Sequence, residues 1–182
     1  RLQLSRALEA VITRKPGAKF ALLHCDLDKF KQVNDTHGHA AGDEVIKVVA
    51  KRLKDIVEPG GLVARQGGDE FVILFTKFTD RGRLTLLSGR LIGAVKKPIP
   101  LKNGEVAEVG LSIGVATAPS CGGNAEALMA SADAALYYSK ENGRGQTAFA
   151  EDMNKTPSPP EKTKEPAQKP ETAEPDRASN AA

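Results

Sequence analysis

Residues 62–75 read Leu62-Val63-Ala64-Arg65-Gln66-Gly67-Gly68-Asp69-Glu70-Phe71-Val72-Ile73-Leu74-Phe75. Two strand-like runs, 62–65 and 71–75, flank the pair Gly67-Gly68, and paired glycines accept the positive φ angles that tight hairpin turns demand. A hairpin is expected here, with the carboxylates of Asp69 and Glu70 at its tip. Upstream, residues 20–25 (Phe20 to Cys25) form an apolar run of strand length that leads straight into Asp26. If the two strands are neighbours in one sheet, Asp26, Asp69 and Glu70 converge at one edge.

Working outward, Val45, Val48, Val49, Leu53 and Ile56 mark a helical stripe stopped by Pro59-Gly60-Gly61. An earlier stripe, Leu4, Leu8, Val11 and Ile12, ends at Pro16-Gly17. Leu84, Leu87, Leu91 and Val95 predict a third long helix, followed by strands near 99–101 and 106–116 around Asn103-Gly104. The last helix is expected over about 124–142, with Leu128, Ala132, Ala135 and Leu136 inward and Gly143 just past its end. The order helix, strand, helix pair, hairpin, helix, hairpin, helix predicts an α+β fold: a mostly antiparallel central sheet wrapped by helices. One domain is expected over 1–151. Residues 152–182 lose all periodicity and fill with Pro, Lys and Glu, which predicts a disordered tail, since such a segment buries too little apolar surface to offset its ordering entropy.

Composition narrows the function classes. Hydrophobic residues make up 40% of the 182, enough for a core, but aromatics only 4% with no Trp, which disfavours stacking on single-stranded nucleic acid. The net charge is +3, and residues 151–182 hold five Lys or Arg against seven Asp or Glu, so the remainder is mildly basic. No duplex-binding stripe is present and no nucleic-acid partner is expected. Cys25 and Cys121 have neither zinc nor disulfide-framework spacing, which fits a reduced, cytoplasmic compartment. No run approaches the ~18 apolar residues of a membrane span, so no membrane contact by this segment is expected. The chain opens on Arg1 inside a helical pattern, as a piece of a longer protein does.

Taken singly, an Asp after a strand reads as a turn or cap residue. The double placement of Asp26 and Asp69-Glu70 points further, because hard oxygen ligands select Mg²⁺, which keeps waters and substrate phosphates in its other positions. Metals held this way activate a hydroxyl and stabilise a leaving pyrophosphate. Backbone N–H groups near residues 28–31 are expected to face an anion, with Lys31 adding charge. Lys140 and Arg144 lie four apart where the last helix is expected to end, so they suit either phosphate binding or the helix dipole. Asn34 and Asp43 are candidates for reading a base: Asp accepts from the ring N–H and amino group of guanine, and Asn pairs with the remaining edge. A turn or cap role is the simpler reading of each alone. His39 and Asp43 stand at i,i+4, but no third metal ligand follows.

The strings Asp26-Leu27-Asp28-Lys29-Phe30-Lys31-Gln32-Val33-Asn34-Asp35, Gly38-His39-Ala40-Ala41-Gly42-Asp43 and Arg65-Gln66-Gly67-Gly68-Asp69-Glu70-Phe71 resemble the GGDEF diguanylate cyclases. So do Leu111-Ser112-Ile113-Gly114-Val115-Ala116 and Ala132-Asp133-Ala134-Ala135-Leu136-Tyr137 leading to Lys140 and Gly143-Arg144, all in the family's order over about residues 1–150. The resemblance implies a fold like the palm of nucleotidyl cyclases and polymerases, with a ferredoxin-like core. It implies that Asp26, the Leu27 carbonyl and Asp69 bind Mg²⁺ or Mn²⁺ and that Asp26, Asp69 and Glu70 form the catalytic set. Asn34 and Asp43 would read guanine. Phe30, Lys31, Lys140, Arg144 and the glycines Gly67 and Gly68 would contact the rest of the substrate. The implied reaction is attack of one GTP 3′-hydroxyl on the α-phosphate of another GTP, twice, giving cyclic di-GMP and two pyrophosphates. Since one chain carries groups for one GTP, a homodimer with facing half-sites is expected, and an upstream sensory or membrane module is implied for the parent protein.

Two departures accompany the resemblance. The family's opening Asp-x-Leu-Thr-Gly-Leu-x-Asn-Arg segment is absent, and the product-inhibition pair Arg-x-x-Asp is replaced by Glu58 and Gly61. Two other function classes stay open: a catalytically silent GTP-binding regulatory module, and an interaction scaffold working through the Pro-rich tail.

Overall fold

The computed structural model describes residues 19–153, together with Glu9, Ala10 and Gly17. The stripe Leu4, Leu8, Val11, Ile12 and the tail from residue 154 onward lie outside the described residues. Strand β1 (Phe20–Asp28) is followed by helices α1 (Phe30–His37) and α2 (His39–Val57), then the hairpin β2 (Gly61–Gly67) and β3 (Glu70–Phe75). Helix α3 (Arg81–Val95), the short strands β4 (Ile99–Pro100) and β5 (Val106–Ala107), strand β6 (Gly110–Ala118), helix α4 (Ala125–Glu141), strand β7 (Thr147–Phe149) and helix α5 (Ala150–Met153) complete it.

The main sheet has five strands in the order β2-β3-β1-β6-β7, with β1 at its centre. It is antiparallel except where β6 meets β7. Because side chains alternate across a strand, Ala21, Leu23, Cys25 and Leu27 share one face of β1. They join the core built by Val45, Val49 and Leu53 of α2 and Leu84, Leu87 and Leu91 of α3. Phe20 and Leu22 point the other way, into a second core with Leu128, Ala132 and Ala135 of α4. Both faces of β1 are covered, which is why all nine of its residues are buried.

Side-chain caps start the two long helices flanking the later strands. Asp80 accepts from the Arg83 N–H at 3.0 Å ahead of α3, and Asn124 accepts from the Ala127 N–H at 2.8 Å ahead of α4. Each such cap contributes about 1 kcal/mol. Helix α4 crosses β6 at Gly114, where a Cβ would lie 2.1 Å from the Ala132 carbonyl oxygen and 2.3 Å from the Leu136 nitrogen. Helix and strand backbones are therefore in contact, and only glycine fits.

Four sequence expectations are corrected. Strand β1 runs two residues past Asp26, and α1 starts only at Phe30, after Lys29 in a left-handed conformation with φ 67°. The single strand expected over 106–116 is two: β5 pairs with β4 in a separate two-stranded sheet, while β6 crosses to β1. Val106-Ala107-Glu108-Val109 carries no break signal, so periodicity alone joined them. Strand β7 is too short, at three residues, to show a period. The domain also continues past 151, because α5 holds Asp152 and Met153. Glu151 accepts hydrogen bonds from Thr117 and Ser120, and Arg81 grips the Asp152 carboxylate with both guanidinium nitrogens while its guanidinium lies 4.2 Å from the Phe149 ring centroid. These partners are remote in sequence, so composition placed the boundary too early.

Candidate active site

Strand pairing brings the acidic groups together. Asp26 stands opposite Glu70 in the β1–β3 register, so the neighbour relation on which the sequence argument depended is met. The connecting turn is Gly68-Asp69. Gly68 has φ 49° and Gly67 does not need a positive angle, so the conformational demand falls on one glycine of the pair. Arg65 Nε donates to the Gly68 carbonyl at 2.9 Å, and the Leu27 N–H donates to the Asp69 carbonyl at 3.2 Å. The hairpin tip is thus fastened to β1 beside Asp26, with a bulge between Arg65 and Gly67 setting its direction.

Asp26 points to the α4 side of the sheet, where Lys140 Nζ lies 2.6 Å from its Oδ2. Burial raises the Asp26 carboxyl above the usual aspartate range; the Lys140 hydrogen bond and charge oppose this, and the nearby charges of Asp69 and Glu70 add to the rise. The edge therefore concentrates negative charge and already meets it with one ammonium. Among the described residues no three His, Cys, Asp or Glu side chains gather round one point. Two carboxylates and a main-chain carbonyl are nevertheless hard oxygen donors of the kind Mg²⁺ or Mn²⁺ takes, with water and phosphate filling its other positions. Asp26, Asp69 and the Leu27 carbonyl fit such an ion in chemistry.

A second group forms between α1 and α2. Asn34 Oδ1 is buried and accepts no hydrogen bond, and a buried acceptor left unpaired costs about 1–3 kcal/mol unless a ligand supplies the donor. A Cβ at Gly42 would fall 2.0 Å from that oxygen and 3.3 Å from Phe30 Cζ. Gly42 thus leaves room for the Asn34 amide, with Phe30 alongside and Asp43 exposed at the next position of α2. The expected pair, Asn34 and Asp43, is brought to one helix–helix junction. Lys31 is exposed in the first turn of α1, whose start has no side-chain cap, so its leading N–H groups face outward from Phe30 rather than from Asp28.

Arg144 loses the helix-dipole alternative that Lys140 keeps. Helix α4 stops at Glu141, and Arg144 sits in the following turn at φ 59° between Gly143 and Gly145, both also at positive φ. It is not a helix-terminal residue as Lys140 is. It lines, with Lys29 and Lys96, a cleft of about 650 Å³ bounded by Ile92, Pro98 and Gly110. Its three cations outnumber the two carboxylates of the same lining, Asp28 and Glu108, by one.

Residues 1–146 match the family model described as "Diguanylate cyclase, GGDEF domain". The chain belongs to the GGDEF domain family. An uncharacterized signaling protein of Caulobacter vibrioides is 43% identical over 82% of this chain and 19% of its own length. Diguanylate cyclase TpbB of Pseudomonas aeruginosa is 36% identical over 82% of this chain and 34% of its own. The crystal structure of the TpbB GGDEF domain superposes with a TM-score of 0.72, covering 81% of this chain and 90% of that one. Cyclic di-GMP phosphodiesterase PdeR of Escherichia coli is 33% identical over 81% of this chain and 22% of its own. The GGDEF domain described here therefore spans about a fifth to a third of these curated relatives, which are larger signalling proteins. No helix among its described residues is long and apolar enough to cross a membrane.

Within this GGDEF domain, Glu58 follows α2 and pairs with Lys54 at 3.6 Å, while Gly61 opens β2. A Cβ at Gly61 would lie 2.5 Å from the Leu74 carbonyl oxygen, so no aspartate fits there and the arginine–carboxylate clamp has neither half. His39 and Asp43 gather no further metal ligand among the described residues. Sequence reasoning missed Gly42, whose signal is a glycine in the first turn of a helix, and Asp28, a buried carboxylate at the end of β1.

Proposed function

We propose that the chain is a catalytically competent diguanylate cyclase domain that condenses two GTP molecules into cyclic di-GMP. The supporting observation is the shared edge where Asp26, opposite Glu70, meets the Gly68-Asp69 turn and the Lys140 ammonium. Mg²⁺ or Mn²⁺, when bound by Asp26, Asp69 and the Leu27 carbonyl, supplies charge neutralisation and a more acidic 3′-hydroxyl. The chain's own groups do the positioning. Asn34 and Asp43 read the guanine edge, with the unpaired Asn34 oxygen taking a donor from the base. Lys31, the leading N–H groups of α1 and Arg144 hold phosphates, and Lys140 carries positive charge to the carboxylate edge. Such prearranged charge and orientation account for most of the catalysis in phosphoryl chemistry.

Each chain offers one set of these groups, while the product is symmetric. Two copies with facing half-sites are therefore part of the proposal, as are a cytoplasmic location, where GTP is supplied, and a sensory module in the parent protein. The second reading, a GTP-binding regulatory domain without turnover, draws on the phosphodiesterase activity in the name of PdeR. Incubation with GTP and Mg²⁺ followed by chromatography decides between them. Cyclic di-GMP that vanishes in a folded Asp69→Asn variant is the expected result; GTP binding with no product at any protein concentration would establish the second reading.

A further inference from the structure

The family-type groups leave one buried carboxylate unused. Asp28 is 7% exposed, at the C-terminal end of β1, on the same face as Asp26. Among the described residues it makes no ion pair; two hydrogen bonds satisfy it instead. Ser112 Oγ donates to Asp28 Oδ1 at 2.8 Å, and the Gly145 N–H donates to Asp28 Oδ2 at 3.0 Å. The same N–H lies 3.1 Å from Ser112 Oγ, closing a three-membered cluster. Across the β1–β6 register Asp28 faces Gly110, where a Cβ would sit 2.8 Å from Asp28 Oδ2, so the strand is pared back to glycine to admit this carboxylate.

The bond reaches the residue next to Arg144. From Glu141 to β7 the chain has Gly143, Arg144 and Gly145 all at positive φ, conformations that cost a non-glycine residue about 1 kcal/mol or more and need the surroundings to hold them. The other end of the turn is fixed by α4 itself: the Arg144 N–H donates to the Ser139 carbonyl at 3.1 Å, and Ser139 and Gln146 exchange hydrogen bonds at 2.9 and 3.0 Å. Arg144 is thus suspended between two anchors, one on α4 and one on the central strand that also carries Asp26.

We propose that Asp28, acting with Ser112, is a positioning residue that sets the Gly143–Gly145 turn so that the Arg144 guanidinium meets substrate phosphate. Asp28 touches no substrate in this role. A charged acceptor holds a backbone N–H more strongly than a neutral one, which explains a carboxylate at a place where burial alone would favour an apolar side chain. The inference rests on the nucleotide-binding part of the proposed function, not on turnover.

The test measures affinities of the full chain for GTP and for guanosine by titration. Asp28→Ala should weaken GTP by about tenfold, the scale of one lost charged hydrogen bond, and leave guanosine within about twofold. Arg144→Ala should match it, and the double variant should add little, because both changes remove one unit. Asp28→Asn should recover part of the affinity, since its amide oxygen still accepts from Gly145 and the Ser112 hydroxyl can turn to accept from the amide nitrogen, while the share that depends on charge stays lost. Ser112→Ala, a small and buried change, carries the test if Asp28→Ala does not fold. Hydrogen exchange at the Gly145 amide should quicken in Asp28→Ala with the β1 and β6 amides unchanged. Equal weakening of GTP and guanosine, or multiplicative effects of Asp28→Ala and Arg144→Ala, would overturn the inference. Wild-type chain that binds GTP yet makes no product would sink the cyclase reading and leave this one standing, and failure to bind GTP would sink both.

Discussion

The two faces of β1 are equally buried and chemically opposite. One presents Ala21, Leu23, Cys25 and Leu27 to α2 and α3. The other begins apolar with Phe20 and Leu22, passes through His24, and ends on Asp26 and Asp28 under α4. The first face holds the domain together, and its side chains are interchangeable within limits of volume. The second spends stability along its length: His24 has both ring nitrogens buried without a hydrogen-bond partner, and its nearest charge is the Asp133 carboxylate at 3.3 Å. Burial by itself therefore does not separate core from site here. The gradient along one face does.

Exchanging a residue on each face should split activity from stability. Asp26→Asn is expected to lower cyclic di-GMP formation by about a thousandfold, roughly 4 kcal/mol of barrier, without loss of melting temperature. The burial-raised carboxyl fixes the sign for stability. An acid whose folded value exceeds its unfolded one favours the fold while protonated and loses that advantage as pH rises through the folded value. Asp26→Asn should therefore gain on the wild type in melting temperature as pH rises above the ordinary aspartate value and through the raised one, and a variant that falls behind over that rise would contradict the charge gradient. Leu23→Ala on the opposite face should cost about 3 kcal/mol in denaturant unfolding, with turnover per folded molecule unchanged.

Gly114→Ala sharpens the comparison by disturbing only the α4 side. Its methyl group meets helix backbone, so α4 must shift, at about 1–3 kcal/mol of overpacking. Because Lys140 rides on α4, activity should drop beyond what the lost stability explains, as assays at matched folded fraction would reveal. The smallest effect is expected far from either face. Glu105 on the β4–β5 hairpin accepts from His37 at 2.8 Å and from Asn103, which hold its carboxyl below the usual range. Its contribution is present above the ordinary glutamate value and lost as pH falls through the lowered one, so the melting-temperature gap between wild type and Glu105→Gln should close on acidification.

Most of the fold was legible because its strands and helices carry strong periodicity or sharp punctuation. Helix α2 follows its valine stripe to Val57, and the hairpin turns one residue later than the glycine pair suggests, at Gly68-Asp69. The acidic edge followed once Asp26 and Glu70 proved to be paired. What escaped depends on contacts remote in sequence: the short β7, the reach of α5 to Arg81, and the left-handed turns at Lys29 and Arg144. Arg144 shows the reason well. Gly143 already marks the helix end in the sequence, but the positive φ of Arg144 itself and the hold of the distant Asp28 carboxylate on Gly145 leave no local signal.

The central position of β1 also governs how the molecule is made. The β2–β3 hairpin closes between near neighbours, whereas Phe20 meets Ala118 and Asp28 meets Gly110, partners separated by most of the described chain. Closing so long a loop is entropically costly and slow relative to local pairing. On these separations the β2–β3 hairpin is expected to pair before β1 and β6 do, so the acidic side of the edge would assemble first and Lys140 would come opposite Asp26 only once the longest-range pairing has closed.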